Sequence, residues 1–216
     1  MSDADRLAVY ADYVCPFCYL GKASLDRYLA DRGEPLAVEW RPFDLRSYKR
    51  GPDDELRDDV DDGKDDAYFE RSRRNVERLA DEYGVEMRPT AGRRVDSWNA
   101  HLVGQYVEDH CDEATAGAYH DAVFETLWRD GRDVGDPAVL AEIGVSIGLD
   151  AEAVPAALAD DEVEATLRDR FEAAQRTGVT AVPTFVYGTY AARGAVPAAQ
   201  LEQLVDGTAR NSPSDD

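Results

Sequence analysis

Two cysteines stand three residues apart near the start of the chain, in the stretch Cys15-Pro16-Phe17-Cys18. An apolar run at residues 7–10 precedes them, and apolar side chains at helical spacing follow over residues 19–32. The pair therefore marks the point where a strand passes into a helix, with Cys15 near the helix N-cap and Pro16 in the first turn.

This position gives the two thiols different chemistry. Residues i and i+3 of a helix lie about 5 to 6 Å apart, which is within the separation that a disulfide requires. Free backbone N–H groups and the positive end of the helix dipole favour the thiolate of Cys15. We therefore expect Cys15 to have an exposed sulfur and to be the nucleophile. Cys18, one turn further in and less exposed, is expected to be the resolving thiol.

A competing interpretation of two close cysteines is half of a zinc site. Zinc needs four ligands, and the rest of the chain offers one more cysteine and three histidines without a second ligand pair at a typical spacing. No bound metal is therefore expected. The third thiol, Cys111, is interpreted as a small apolar side chain, and any chemical role for it is left open.

The charge balance limits the range of partners. The chain has 45 acidic and 24 basic residues, a net charge of -21, and three of the basic residues are lysine. Repulsion then excludes nucleic acid as a partner. A surface rich in carboxylates and poor in lysine resembles proteins from salt-accumulating halophiles. Residues 1–6 lack a signal-peptide pattern, and no apolar stretch approaches the ~20 residues of a membrane span, so a cytoplasmic protein without membrane contact is expected.

Strand patterns are confined to the two ends of the chain. Residues 36–43 alternate apolar and polar side chains, and strand character returns only at residues 184–187 and 190–193. The order β-α-β at the front and β-β-α at the back encloses a mostly helical segment. We predict a discontinuous α/β domain over residues 1–45 and 178–210, a helical insertion domain over 46–177 and a disordered tail at 211–216.

These ends resemble a thioredoxin fold, and the helical insertion narrows the resemblance to the DsbA-like thiol:disulfide oxidoreductases. Residues 12–21, 97–102 and 194–197 are similar to the FrnE-like branch of that family. The resemblance covers about residues 5 to 206. It implies that Cys15 attacks, that Cys18 resolves and that Pro183 is cis beside the thiols.

Several residues are candidates for substrate binding. A cis bond before Pro183 would turn the Val182 backbone toward an extended substrate chain. In related glutathione-dependent isomerases the helix that matches residues 98–106 lines the active site, which implies a role for polar side chains there. The candidates are Val182, Tyr13, Pro16, Phe17, Asn99 and His101.

Thiol–disulfide exchange on peptide or small-molecule disulfides is the predicted activity, carried out by an oxidoreductase or isomerase. No cofactor is expected beyond the redox-active Cys15–Cys18 disulfide, with a low-molecular-weight thiol as a candidate co-substrate. The expected partners are thiol- or disulfide-containing proteins and small thiols, and the oligomeric state is left open. One alternative is a thiol-dependent isomerase of the kappa-class glutathione transferase or 2-hydroxychromene-2-carboxylate isomerase type. Another is a redox-regulated peptide-binding chaperone.

Overall fold

The structure, a computed structural model, describes residues 6–209 except 53, 58 and 62. Its four strands form one mixed sheet in the order β2-β1-β3-β4. β2 runs parallel to β1, whereas β3 is antiparallel to β1 and β4 is antiparallel to β3. The strands are β1 (Arg6–Ala11), β2 (Ala37–Pro42), β3 (Thr184–Tyr187) and β4 (Tyr190–Arg193).

Eight α-helices lie in the described part of the chain. They are α1 (Pro16–Asp31), α2 (Asp66–Tyr83), α3 (Trp98–His110), α4 (Glu113–Trp128), α5 (Pro137–Ser146), α6 (Ala153–Leu158), α7 (Asp161–Arg176) and α8 (Ala198–Ala209). The helix α1 connects the parallel strands, and the β3–β4 hairpin leads to α8. The predicted order β-α-β, helices, β-β-α is therefore confirmed, and with it the mixed α/β class.

Aspartate side chains cap several of the helices at their N-termini. Aspartates precede α2, α4, α5 and α7, and each accepts a hydrogen bond from a backbone amide of the first turn. Such side chains satisfy amides that have no partner inside the helix. The helix α2 ends at Gly84, whose φ of 65° suits a residue without a Cβ atom.

One apolar core runs from the sheet into the helical region. β1 is the central strand, and residues 7–11 are at most 6 % exposed because both of its neighbours are strands and helices cover the sheet. α8 packs on α1 and β4, while α7 packs on β2. The core contains Leu7 and Phe185 of the sheet together with Phe124 and Leu140 of the helical region.

All described strands lie outside residues 46–177, and the division into two domains with these boundaries stays a prediction. The predicted tail, 211–216, lies outside the described residues. The six-residue helix α6 contains Pro155, and the sequence pattern does not predict it. In the structure this proline falls in the first turn, where a missing N–H costs little. Within the described ranges, no helix is both long and apolar enough to cross a membrane.

Candidate active site

The turn formed by residues 12–15, here called the reactive turn, joins β1 to α1. Cys15 is the N-cap of α1, with φ -91° and ψ 115°, and Pro16 is the first helical residue. The Cys15 amide donates to the Asp12 carbonyl at 3.1 Å, and the Cys15 carbonyl accepts from the Cys18 amide at 3.0 Å. The predicted position of the two cysteines at a strand-to-helix junction is therefore confirmed.

The Cys15 sulfur lies beside the chain segment that enters β3. Its thiol donates to the Val182 carbonyl over 3.6 Å, and the peptide bond between Val182 and Pro183 is cis, as expected. Cys15 is only 4 % exposed, so the expectation of an exposed sulfur is wrong for this structure. The Val182 backbone covers the thiol, a contact between residues that are distant in sequence.

Cys18 lies deeper than Cys15 and is 1 % exposed. Burial raises the pKa of the Cys18 thiol well above its ordinary value, and the hydrogen bond that it shares with Cys15 raises this pKa further. Both cysteines are free thiols in the structure, as is Cys111. The arrangement provides one thiol at a helix N-terminus and a second, protonated thiol one turn behind it.

The fully buried carboxylate of Asp12 holds the reactive turn, a role that the sequence analysis missed. Its Oδ1 accepts from the Ser97 hydroxyl at 2.7 Å and from the Val14 amide at 3.2 Å, and its Oδ2 accepts from the Leu45 amide at 2.8 Å. His101 Nε2 lies 3.3 Å from Oδ1. Burial acts to raise the pKa of Asp12, but its hydrogen bonds from His101, Ser97 and Leu45 bring that pKa below its ordinary value.

Ser97 shows why this network was hard to predict. A serine before α3 suggests a helix cap, yet its hydroxyl makes no capping hydrogen bond and donates to Asp12 instead. The partners are 85 residues apart in sequence. An aspartate immediately after a buried strand was the available signal.

Tyr13 is almost completely buried and lies between two histidines. Its ring centroid is 4.7 Å from that of His101 and 6.0 Å from that of His120. The Tyr13 hydroxyl is 2.7 Å from His120 Nδ1, so it points away from the surface. Its predicted part in an apolar wall of a substrate site stays a prediction. His101 contacts Asp12 of the reactive turn, and its predicted role in substrate binding beside Cys15 stays a prediction.

The other candidate residues are placed differently. Pro16 is partly exposed at the helix start, and Phe17 packs against the small core between α1 and α2. Asn99 donates to the Gly135 carbonyl at 2.8 Å, and this bond ties α3 to the segment before α5. Its predicted contact with substrate stays a prediction.

Two glycines allow close packing around the thiols. A Cβ atom on Gly21 would lie 3.0 Å from Cγ of Pro183, and one on Gly92 would lie 2.8 Å from the Val14 carbonyl and from the Trp128 ring. Gly21 therefore lets α1 approach the segment that carries Pro183. Across the residues that the structure describes, no three His, Cys, Asp or Glu side chains are grouped so that they could hold a metal ion.

A mixed sheet in this order, with a Cys-x-x-Cys pair at the start of the first helix and a cis proline beside it, defines the thioredoxin-fold class. Residues 6–206 match the family described as DSBA-like thioredoxin domain, and the chain belongs to this family.

Proteins similar to this chain are found among protein sequences and among solved structures. The chain is 28 % identical over 206 residues to the uncharacterized protein YwbO of Bacillus subtilis (strain 168), a match that covers 93 % of this chain and 95 % of YwbO. The structure of a probable DsbA oxidoreductase from Streptomyces coelicolor is 27 % identical, with a TM-score of 0.77 over 98 % of this chain and 92 % of that chain. A 2-hydroxychromene-2-carboxylate isomerase shares the fold at 21 % identity, with a TM-score of 0.74 over 95 % of both chains.

Proposed function

We propose that this protein is a thiol:disulfide oxidoreductase that works by thiol–disulfide exchange through Cys15 and Cys18. The observation that carries the proposal is the position of the Cys15 sulfur. It lies at the N-terminal end of α1, 3.6 Å from the Val182 carbonyl beside cis Pro183, with the Cys18 thiol one turn behind it.

In the reducing direction the Cys15 thiolate attacks one sulfur of a substrate disulfide. A mixed disulfide forms at Cys15, and the first substrate thiolate leaves and takes up a proton. Cys18 then loses its proton and attacks Cys15, which releases the second substrate thiol and leaves a Cys15–Cys18 disulfide. The substrate gains two electrons and two protons, and two molecules of a small thiol then reduce the Cys15–Cys18 disulfide by the same exchange and leave as their own disulfide.

The high pKa of Cys18 separates the roles of the two thiols. A buried, protonated thiol does not compete with Cys15 for the incoming disulfide. Once Cys15 is in a mixed disulfide, the Cys18 thiol no longer shares its hydrogen bond with a Cys15 thiol. Attack by Cys18 then needs loss of its proton, so this step should become faster as the pH rises.

Peptide disulfides and small disulfides are the proposed substrates. The Val182 backbone lies beside the reactive sulfur, where an extended chain could align with it. The motif around Cys15 supports membership of the FrnE-like branch. The acidic, lysine-poor composition supports a halophilic source, and a cytoplasmic location is proposed from the sequence pattern.

Trapping of the mixed disulfide tests the assignment of the two cysteines. We expect Cys18→Ala to accumulate a disulfide between Cys15 and a peptide substrate, because the resolving thiol is gone. Cys15→Ser should be inactive and trap little, and Cys111→Ala should behave like the unmodified protein. Mass spectrometry of the quenched mixtures identifies the bonded residues.

Two results would contradict the proposal. Equal trapping by Cys18→Ala and Cys15→Ser would remove the distinction between attacking and resolving thiols. An oxidised protein with Cys111 bridged to either of them would assign the resolving role elsewhere.

The alternative is a thiol-dependent isomerase. The observation that supports it is the likeness of fold to 2-hydroxychromene-2-carboxylate isomerase. Chemistry of that kind needs a small thiol and does not need a second cysteine. Isomerase turnover that is retained in Cys18→Ala, without multiple-turnover reduction of peptide disulfides, would favour it.

A further inference from the structure

A chain of hydrogen bonds connects the reactive turn with the helical region. The Tyr13 hydroxyl is 2.7 Å from His120 Nδ1 in α4, and His120 Nε2 is 3.2 Å from Glu108 Oε1 in α3. The other oxygen of Glu108 accepts from Arg170 of α7. Four residues from a turn and three helices are thus joined in series.

The protonation states of Glu108 and Tyr13 limit where the protons of this series of hydrogen bonds can lie. Burial acts to raise the pKa of Glu108, but the His120 hydrogen bond and the Arg170 charge bring that pKa below its ordinary value, so Glu108 is a carboxylate that only accepts. His120 Nε2 must therefore carry a proton. Burial raises the pKa of Tyr13 well above its ordinary value, so its hydroxyl keeps its proton, and this hydroxyl lies 2.7 Å from His120 Nδ1.

Arg170 fixes the Glu108 end of this series of hydrogen bonds. Its guanidinium also donates to Gln105 Oε1 at 2.7 Å and to the Trp40 carbonyl of β2 at 2.8 Å. Because a guanidinium is rigid and planar, these three bonds determine where Glu108 can lie.

The Tyr13 end of this series of hydrogen bonds is equally constrained. Tyr13 is 3 % exposed and His120 is 6 % exposed. The Tyr13 carbonyl accepts from the Trp128 indole at 2.7 Å, so α4 holds both the backbone and the hydroxyl of this residue. The polar groups of Tyr13, His120 and Glu108 therefore have hydrogen-bond partners inside the protein.

We propose that His120 is a positioning residue for thiol exchange, which fixes Tyr13 and thereby the turn that presents Cys15. The inference rests on the proposed function. It adds that His120, a residue of the helical region, helps to set the geometry of the reactive turn.

The rate of Cys15 alkylation by iodoacetamide tests this role without any need for turnover. The measurement uses Cys111→Ala protein in molar KCl at pH 7, with folding checked by circular dichroism. The loss of one hydrogen bond worth about 1 kcal/mol raises the fraction of molecules with a displaced turn about five-fold. Tyr13→Phe and His120→Leu should therefore expose Cys15 and speed its alkylation about five-fold, while exchange with a peptide disulfide slows by a similar factor.

Two further variants separate positioning from general stability. His120→Asn keeps an acceptor near the place of Nδ1 and should restore the alkylation rate to within about two-fold of the parent. Tyr119→Phe removes the hydroxyl of another fully buried tyrosine, which donates to the Ala100 carbonyl at 2.9 Å, and should leave the alkylation rate unchanged.

An unchanged alkylation rate in His120→Leu would overturn the inference, as would an equal effect of Tyr119→Phe. A parent protein that exchanges no disulfides would instead overturn the proposed function. The alkylation rates would still decide whether His120 positions the turn.

Discussion

At the scale of single residues, Asp12 combines full burial with four hydrogen-bond donors around one carboxylate. Its pKa is lower in the folded chain than in the unfolded chain, so its stabilising effect is present above the ordinary pKa and is lost as the pH falls through the folded value. We expect Asp12→Asn to lower the free energy of unfolding by about 2 kcal/mol at pH 7, because an amide hydrogen would meet the Leu45 amide or another donor.

The same variant should lose less stability relative to the parent near pH 3, below the ordinary pKa of an aspartate, because part of the stabilising effect of the ionised Asp12 is then lost from the parent. Denaturant unfolding at the two pH values measures both differences. Asp65→Asn is the matched control, since Asp65 caps α2 at the surface and asparagine caps equally well. An Asp12→Asn cost that is the same at both pH values would contradict the electrostatic argument.

Prediction from sequence worked at this scale where the signal was local. The placement of Cys15 and Cys18 at the start of α1 follows from their spacing and from the apolar patterns on either side. The Asp12–Ser97 bond and the Tyr13–His120 bond join residues 85 and 107 positions apart, so no local pattern contains them. The contact of Cys15 with Val182 also joins distant parts of the chain, and only the family resemblance predicts that this segment lies beside the thiols.

At the scale of elements, the contact between α1 and the start of β3 depends on Gly21. A Cβ atom there would lie 3.0 Å from Pro183 and 3.2 Å from Phe185, and both neighbours are buried. We expect Gly21→Ala to destabilise the protein by about 1 kcal/mol, because overpacking outweighs the higher helix propensity of alanine. It should also slow disulfide exchange, since Pro183 must move relative to Cys15.

Gly117→Ala in α4 is the matched control for that substitution. A Cβ atom on Gly117 meets nothing within 4 Å, so this variant should gain about 0.5 to 1 kcal/mol from helix propensity alone. Thermal and denaturant unfolding of the two variants give the comparison. Stabilisation by Gly21→Ala with unchanged exchange would show that the contact tolerates a methyl group.

Periodicity predicted the long helices well, and their ends within a few residues, because their apolar faces pack on one core. The apolar spacing over residues 160–177 predicts one long helix, and α7 spans Asp161–Arg176. The failure at α6 has a different cause. A six-residue helix has too few residues to show a period, and its two buried side chains, Val154 and Ala157, become informative only when α5 and α3 are packed against it.

For the whole molecule, the net charge of -21 predicts a dependence on salt. The Debye length falls from about 30 Å at 0.01 M to about 3 Å at 1 M, so repulsion between surface carboxylates is then screened. Surface ion pairs are weakened too, but each contributes only about 0 to 1 kcal/mol, and acidic groups outnumber basic ones. We expect the melting temperature to rise by about 5 °C or more between dilute buffer and molar KCl, measured by circular dichroism.

Exchange activity should increase over the same range of salt, with the alkylation rate of Cys15 changing less, because its surroundings are local and buried. A melting temperature that stays flat from 10 mM to 1 M KCl would contradict this account of the charge. The proposed chemistry of Cys15 and Cys18 does not depend on that result.

The bond from Arg170 to the Trp40 carbonyl also bears on association between molecules. β2 pairs only with β1 among the described strands, and a strand at a sheet edge offers backbone groups to strands of other chains. Here one carbonyl is already occupied, α7 lies against the strand, and Glu39 and Arg41 place an ion pair on it. At high salt the repulsion between acidic molecules is screened. This edge then offers few free backbone groups for pairing with a strand of another molecule, which is the first step of aggregation.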